Sequence, residues 1–344
     1  MKPIIWHLIG DKRAGGSNRL VRQLISSPLE EQFNFEVLRL EEAKAKLKYS
    51  SPDAIVFHYP CAWKYLADLW LLKQHSKLYI YDHHYSPGFE QHQVNSKCRF
   101  RLMLRIAYSL ADGVVSISNA QRDWMLARNL VKPDKIKTIY SASPVDNLLS
   151  IPVNSPTTPL KIGAYGRFAP QKGFDLLLPA FAALPTAKFQ LYLGGYGQDE
   201  QLIRDLAKDL PHVELLGAIE DVPAFLANCD AIVIPSRWEP WGLVCLEAKA
   251  AGKPVVAFDV DGLREQVLGE RETRGQEFEI GDCGLIVPAN NVEQLTKAIA
   301  SLLEQDLTAW GKAGKVSVVN AWTKFLDSWA VFLEGATDEK PKNL

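Results

Sequence analysis

The sequence predicts an α/β protein built from two doubly wound domains, each a mostly parallel sheet flanked by helices. Short runs rich in β-branched and aromatic residues alternate with longer segments of helical period, which is the signature of βα units. A stretch with neither period, Ser150-Ile-Pro-Val-Asn-Ser-Pro-Thr-Thr-Pro159, interrupts that alternation and reads as an interdomain linker. The length, 344 residues, suits about two domains.

The first strand is expected at Ile4–Ile9, because Met1–Gly10 is apolar after Lys2 and lacks the basic lead and small-residue cleavage site of a secretory signal. Further strands are expected at Phe35–Leu40, Ala54–Phe57, Leu78–Tyr81, Gly113–Ile117 and Lys137–Ile139, with helices between them, which gives a first domain at 1–152. After the linker the pattern restarts at Lys161–Tyr165, Lys188–Leu193, Val213–Leu216, Ala231–Ile234, Val255–Phe258 and Gly284–Val287, a second domain at 160–315. Trp322, Phe325, Leu326, Trp329, Phe332 and Leu333 recur at helical spacing. They place a terminal helix at about 316–335 with the option of packing back onto the first domain, and the polar Ala336–Leu344 is expected to fray.

Composition narrows the function classes. Apolar residues make up 47% and charged residues 23%, and 39 Lys+Arg against 40 Asp+Glu leave a formal net charge of −1. Disordered, collagenous and coiled-coil classes are excluded, and no global field draws the chain to nucleic acid or to an anionic membrane. The longest apolar runs, such as Ala231–Pro235 and Pro254–Phe258, fall far short of the ~20 residues of a membrane span. Five cysteines (Cys61, Cys98, Cys229, Cys245 and Cys283), odd in number and mostly in apolar sequence, are expected to be buried free thiols in a reducing, cytoplasmic compartment. None has metal-ligand spacing.

Open parallel sheets bind ligands beyond the carboxyl ends of their strands, so the chemistry is sought in the loops that follow strands. In Gly10-Asp-Lys-Arg-Ala-Gly-Gly-Ser17, the pair Gly15 and Gly16 permits close backbone approach, and the next helix offers its N-terminal amides to an anion. An ordinary strand-to-helix turn explains this loop equally well, since it matches no phosphate-loop signature. In Gly163-Ala-Tyr-Gly-Arg-Phe-Ala-Pro-Gln-Lys-Gly173, Arg167 and Lys172 bracket a tight turn, a cation pair suited to a diphosphate, against the plainer reading of a solvated basic loop. In Pro235-Ser-Arg-Trp-Glu-Pro-Trp-Gly-Leu-Val-Cys-Leu-Glu247, Glu239 lies in a loop and Glu247, eight residues on, lies on a helix that starts near Gly242. Two turns of helix at about 1.5 Å per residue keep them from forming one carboxylate dyad. Each is expected to grip a different part of an elongated ligand, unless both are solvated acids beside a capped helix.

This E-x7-E segment, with the upstream Gly-Arg-Phe-x3-Lys-Gly loop and the early Gly-Gly turn, resembles the retaining glycosyltransferases of the GT-B fold, family four (glycosyltransferase group 1). The resemblance is strong over about 160–290 and only topological over most of 1–150. It implies two Rossmann-like domains facing a central cleft. It also implies donor-diphosphate binding by Arg167 and Lys172, donor-sugar contact by Glu239, ribose binding by Glu247, and backbone contacts to the sugar at Trp241, Gly242 and Leu243. Trp241 departs from the Phe more often found in the family. A family histidine near the anomeric centre falls in Tyr81-Asp-His-His-Tyr-Ser-Pro87, where the spacing favours His83 and leaves His84 open; a structural histidine pair is the plainer reading. Asp259-Val-Asp261 looks like a metal-binding DxD, but it follows a strand of the second domain, and no metal is expected there.

The function so implied is metal-independent, retaining transfer of a hexose from a UDP-, GDP- or ADP-linked sugar to a glycan, lipid-linked or small-molecule acceptor in polysaccharide biosynthesis. The nucleotide sugar serves as co-substrate, with no cofactor. A nucleotide-sugar 2-epimerase and a non-catalytic nucleotide-sugar-binding protein are the alternatives. On Lys97–Leu110 the bases Lys97, Arg101 and Arg105 share a helix face with no acid nearby, which suits either a solvated face or peripheral contact with the inner membrane surface.

Overall fold

The computed structural model describes residues 1–10, 16–269 and 278–338. The chain parts into two compact units, Met1–Pro144 with Trp322–Leu344, and Val145–Ala321.

The first unit carries a six-stranded sheet: β1 (Ile4–Leu8), β2 (Asn34–Leu38), β3 (Ala54–Phe57), β4 (Lys77–Tyr81), β5 (Gly113–Ser116) and β6 (Ile136–Thr138). Its strands are all parallel in the order β2-β1-β3-β4-β5-β6, so the winding reverses between β1 and β3. Every residue of β3 and of β5 is buried, as expected of strands covered on both faces, which explains why they read as continuous apolar runs. Helix Ala321–Asp338 belongs to this unit from Trp322 onward. Its apolar stripe, Phe325, Trp329, Phe332 and Leu333, is buried, with the Trp329 ring 5.1 Å from Tyr81 and the Phe332 ring 4.9 Å from Tyr79. The helix starts at Ala321 rather than near 316, since Leu307–Val318 is a separate helix of the second unit, and it runs on to Asp338, into the first residues of the segment expected to fray, the rest of which lies outside the described residues.

The second unit carries seven strands: β7 (Leu160–Tyr165), β8 (Phe189–Gly194), β9 (Val213–Gly217), β10 (Ala231–Ile234), β11 (Val255–Phe258), β12 (Glu279–Ile280) and β13 (Gly284–Val287). Their order is β12-β13-β11-β10-β7-β8-β9, and the winding reverses between β7 and β10. Among the described residues only the β12–β13 pair is antiparallel. β12 has no counterpart in the sequence reading, because two residues cannot display an alternation. The proline-rich stretch is fastened to this unit: Thr157 donates to the Asp230 carboxylate from its backbone N (3.2 Å) and its Oγ1 (2.6 Å).

All five cysteines are free, four of them buried, whereas Cys98 is exposed at the start of helix Lys97–Leu110. Among the described residues no helix is long and apolar enough to cross a membrane.

Candidate functional site at the strand-order reversals

In the second unit the crevice expected of a doubly wound sheet falls where β7 and β10 diverge, and the loops after these two strands interlock there. Gly173 adopts φ +67°, and a Cβ on it would lie 1.9 Å from the carbonyl oxygen of Pro235, the first residue beyond β10. Glycine is required both for its left-handed backbone and for that approach. Arg237 N donates to Gln171 O at 2.7 Å, and Gln171 Nε2 donates to Trp238 O at 3.1 Å. The Arg237 guanidinium grips Asp175 with two bonds of 2.8 and 2.6 Å.

This interlock brings two of the predicted groups of the second unit together. Lys172 and Glu239 form an ion pair, and Ser236 Oγ lies 3.4 Å from the same carboxylate oxygen. Arg167, on the same loop as Lys172, is exposed and makes no hydrogen bond or ion pair among the described residues. Glu247 is buried on helix Leu243–Ala250 and accepts a 2.6 Å bond from Tyr165 OH at the end of β7. The two acids therefore have separate partners and do not form a dyad.

Backbone geometry completes the arrangement. Gly242, at φ +96°, stands as the N-cap of helix Leu243–Ala250, and a Cβ there would press to 2.8 Å on Leu263 and 3.0 Å on Glu239 Cγ. Trp241, Gly242 and Leu243 thus lie at the N-terminal end of this helix, the end whose first amides have no partner within a helix. Gln266 Nε2 donates to the carbonyls of Trp241 and Gly242, and its own carbonyl accepts from buried Lys249 Nζ at 2.7 Å. Asp261 accepts from Glu239 N at 2.9 Å, and Asp259 pairs with Arg264 at 2.8 Å, so each carboxylate of the DxD look-alike has a partner within the protein. Among the described residues no three His, Cys, Asp or Glu side chains cluster as a metal site would require. Tyr165, Asp261 and Gln266 support the site; the sequence reading missed Tyr165 and Gln266 and noted Asp261 only as part of the DxD look-alike. Nothing in their spacing signals that they meet Glu247, Glu239 and Trp241.

In the first unit Gly15 lies outside the described residues, and Gly16 opens helix Gly16–Ile25. His83 and His84 sit in the turn after β4. Asp82 fixes that turn by accepting from His84 N (2.8 Å), Tyr85 N (3.0 Å) and Tyr108 OH (2.5 Å), while Gln121 Nε2 donates to Tyr85 O at 2.6 Å. His83 and His84 are both partly exposed. His83 Nε2 lies 2.9 Å from His58 Nδ1, and His58 Nε2 lies 2.9 Å from His7 Nδ1, so β1 and the segments just after β3 and β4 each contribute one ring to a chain. Burial lowers the pKa of all three, that of His7 to about 3. On the basic helix, Arg101 is bound by buried Glu90, and Arg105 donates to the carbonyls of Asn129 (3.0 Å) and Arg128 (2.9 Å), so much of that face is engaged internally.

Two doubly wound α/β units with mostly parallel sheets define the GT-B class. A solved sucrose-phosphate synthase from Thermosynechococcus elongatus matches 97% of this chain and 99% of its own at a TM-score of 0.79 and 22% identity. Anabaena HepE, solved in complex with UDP-glucose, matches 97% of this chain and 100% of its own at 0.74 and 19%. The family model "Glycosyltransferase Family 4" matches residues 8–146 and "Glycosyl transferases group 1" matches 148–316, and the chain belongs to glycosyltransferase family 4. A GDP-mannose-dependent monoacylated alpha-(1-6)-phosphatidylinositol monomannoside mannosyltransferase of Corynebacterium glutamicum is 33% identical over 198 residues, 53% of this chain and 47% of that protein. The chain spans between 37% and 54% of the first curated relatives that it matches.

Proposed function

We propose that this protein transfers a hexose from a nucleotide-diphosphate sugar to an acceptor, with the donor held by the second unit where β7 and β10 diverge. The observation that carries the reading is the interlock of the two loops through Gly173 and Pro235, with Lys172 paired to Glu239 three residues before helix Leu243–Ala250 opens at its Gly242 cap; Arg167 lies on the same loop as Lys172. As the anomeric bond breaks, negative charge grows on the leaving diphosphate. Arg167, Lys172 and the helix amides meet that charge most strongly at the transition state, and so raise turnover rather than affinity alone. Lys172, held by Glu239, and Arg167 on the same loop supply the neutralisation that a divalent ion would otherwise provide. Glu247, oriented by Tyr165, takes the ribose hydroxyls, and Glu239 with the Trp241–Leu243 backbone takes the sugar. In the first unit His83 is the group proposed to meet the substrate, and the configuration at the anomeric carbon is retained.

HepE was solved with UDP-glucose and the Corynebacterium relative is named for GDP-mannose, so both donor bases belong in the test. Acceptor classes are a glycan, a lipid-linked saccharide or a small molecule, in polysaccharide biosynthesis. Five free thiols support a cytoplasmic setting. Peripheral contact with the inner membrane face would fall to Lys97 and its neighbour Arg99 more than to the engaged Arg101 and Arg105. The alternatives, a 2-epimerase and a silent binder, differ in product: the epimerase yields no acceptor-dependent product, and the binder does not hydrolyse donor.

The test is a thermal-shift panel of UDP, GDP, ADP and their sugar conjugates, with magnesium and separately with EDTA. A ligand at 100 times its dissociation constant adds about 2.7 kcal/mol of stability. A magnesium-independent shift with one base supports the site and selects donors for acceptor screening. No shift with any nucleotide overturns the reading.

A further inference from the structure

The three-histidine chain of the first unit has a direction. His58 uses both ring nitrogens, Nε2 toward His7 Nδ1 and Nδ1 toward His83 Nε2, each at 2.9 Å. A neutral imidazole has one donor and one acceptor, so the two bonds must run the same way along the chain. Either the proton pattern points from His7 to His83, or it points from His83 to His7.

The buried end selects between them. His7 Nε2 is buried and has no hydrogen-bond partner among the described residues, and the ring packs against Phe35 and Trp329 with centroids 5.5 and 6.1 Å away. If the pattern ran from His83 inward, His7 would carry its proton on Nε2 as a buried donor without an acceptor. The indole N–H of Trp329 is also buried without a partner, so a second donor would be placed in the same apolar setting. The outward pattern leaves a bare lone pair on His7 Nε2. Orphaned buried N–H groups are the rarer and costlier of the two.

We propose that His7 Nδ1–H donates to His58 Nε2 and His58 Nδ1–H donates to His83 Nε2, which fixes the His83 proton on Nδ1 and presents that atom to the substrate as a hydrogen-bond donor. His58 and His7 are then positioning residues. Burial keeps the three rings neutral near pH 7, the state in which a ring carries a single proton and the pattern is defined. His83 is partly exposed, and its Nδ1 has no partner among the described residues. A free imidazole in water favours the opposite tautomer, Nε2–H, so the chain imposes a state that the isolated side chain would not choose. The substrate contact rests on the reading of His83 given above; the tautomer does not.

The test uses the full chain labelled with 15N-histidine, and long-range 1H–15N correlation spectra at neutral pH, with His83 assigned by its loss in His83→Asn. Wild type is expected to show Nδ1-protonated His83. His58→Leu removes the donor, and His83 should revert toward Nε2–H. His58→Asn places an amide N–H near the position of Nδ1–H and should preserve the Nδ1–H form. With nucleotide sugar and acceptor, kcat of His58→Leu should fall about tenfold while that of His58→Asn stays within about threefold, both with little change in donor KM, as expected for loss and retention of one oriented hydrogen bond. Nε2–H on His83 in the wild type, or a tautomer that His58→Leu leaves unmoved, overturns the chain. An Nδ1–H tautomer together with wild-type turnover in His83→Asn keeps the chain and removes the substrate contact.

Discussion

Lys172 and Glu239 are paired across the two loops that follow β7 and β10, with 22% and 12% of their side-chain surfaces exposed. The ammonium proposed to meet the donor diphosphate is thus already positioned by the acid proposed to meet the donor sugar. Arg167, exposed and without a bonded partner among the described residues, shares the loop but not the pairing. Lys172→Ala and Arg167→Ala should each lower turnover by roughly 10²–10³-fold, the scale of a lost transition-state donor. Only the lysine variant should also lower the melting temperature. Initial rates at saturating donor, with a thermal melt of each variant, check both halves, and wild-type turnover in both variants would sink the diphosphate assignment.

Gly173→Ala tests the interlock. A Cβ at φ +67° would meet Pro235 O at 1.9 Å, whereas Gly217, at φ +69°, has nothing within 4 Å. Backbone strain alone should cost Gly217→Ala about 1 kcal/mol, and Gly173→Ala should cost about 2–4 kcal/mol with loss of nucleotide binding. Urea unfolding of the two variants separates the clash from the strain; equal losses would mean that the loops do not depend on this contact.

Tyr165→Phe leaves buried Glu247 without the hydroxyl that holds it at 2.6 Å. One uncompensated hydrogen bond predicts a rise of about 3–10-fold in donor KM with kcat nearly unchanged. Steady-state kinetics with varied donor measure it. A change confined to kcat would remove Glu247 from ground-state donor binding.

Asp261 fastens Glu239 by accepting a 2.9 Å hydrogen bond from its backbone N, the role proposed for it here in place of metal binding. Asp261→Asn retains an acceptor oxygen and tolerates the φ of +41°, so turnover should stay close to wild type. Asp261→Ala should lose about tenfold, the worth of roughly 1.4 kcal/mol. EDTA should leave all three proteins unaffected. Loss of activity on chelation, restored by a divalent ion, would reverse this assignment.

Acid should destabilise the first unit through its histidines. The folded pKa of His7 is lowered to about 3 from the ordinary 6.5, and those of His58 and His83 are lowered as well. Between these values the unfolded chain binds protons that the folded chain does not. Stability is therefore complete above about pH 6.5 and declines as pH falls below it, by about 1.4 kcal/mol per pH unit for each such ring. Urea unfolding from pH 8 to 5 should show the slope, and His7→Phe should reduce it. A flat profile would mean that these rings are not held neutral by burial.

Much of the architecture was legible before folding was considered. Twelve of the thirteen strands lie within two residues of where alternation and β-branched content place them, because a strand buried on both faces must be apolar throughout. Gly166–Gly173 and Ser236–Glu247 stood out because tight turns, cations and paired acids are local features of the chain. Sequence separation hid the rest: Tyr165 and Glu247 are 82 residues apart, and Lys172 and Glu239 are 67 apart. Asp261 likewise finds its partner far along the chain, since its carboxylate accepts from a backbone amide 22 residues away.

By itself, then, the sequence determined two doubly wound sheets, the loops that carry their chemistry, and the family, since periodicity and turn residues act over a few positions. Tertiary structure alone decided which side chains meet: that Lys172 pairs with Glu239, that Tyr165 orients Glu247, and that three histidines, in β1 and just beyond β3 and β4, join into one chain. The physical reason is strand order. Parallel crossovers bring the carboxyl ends of strands distant in sequence side by side, and no local pattern records which strands become neighbours.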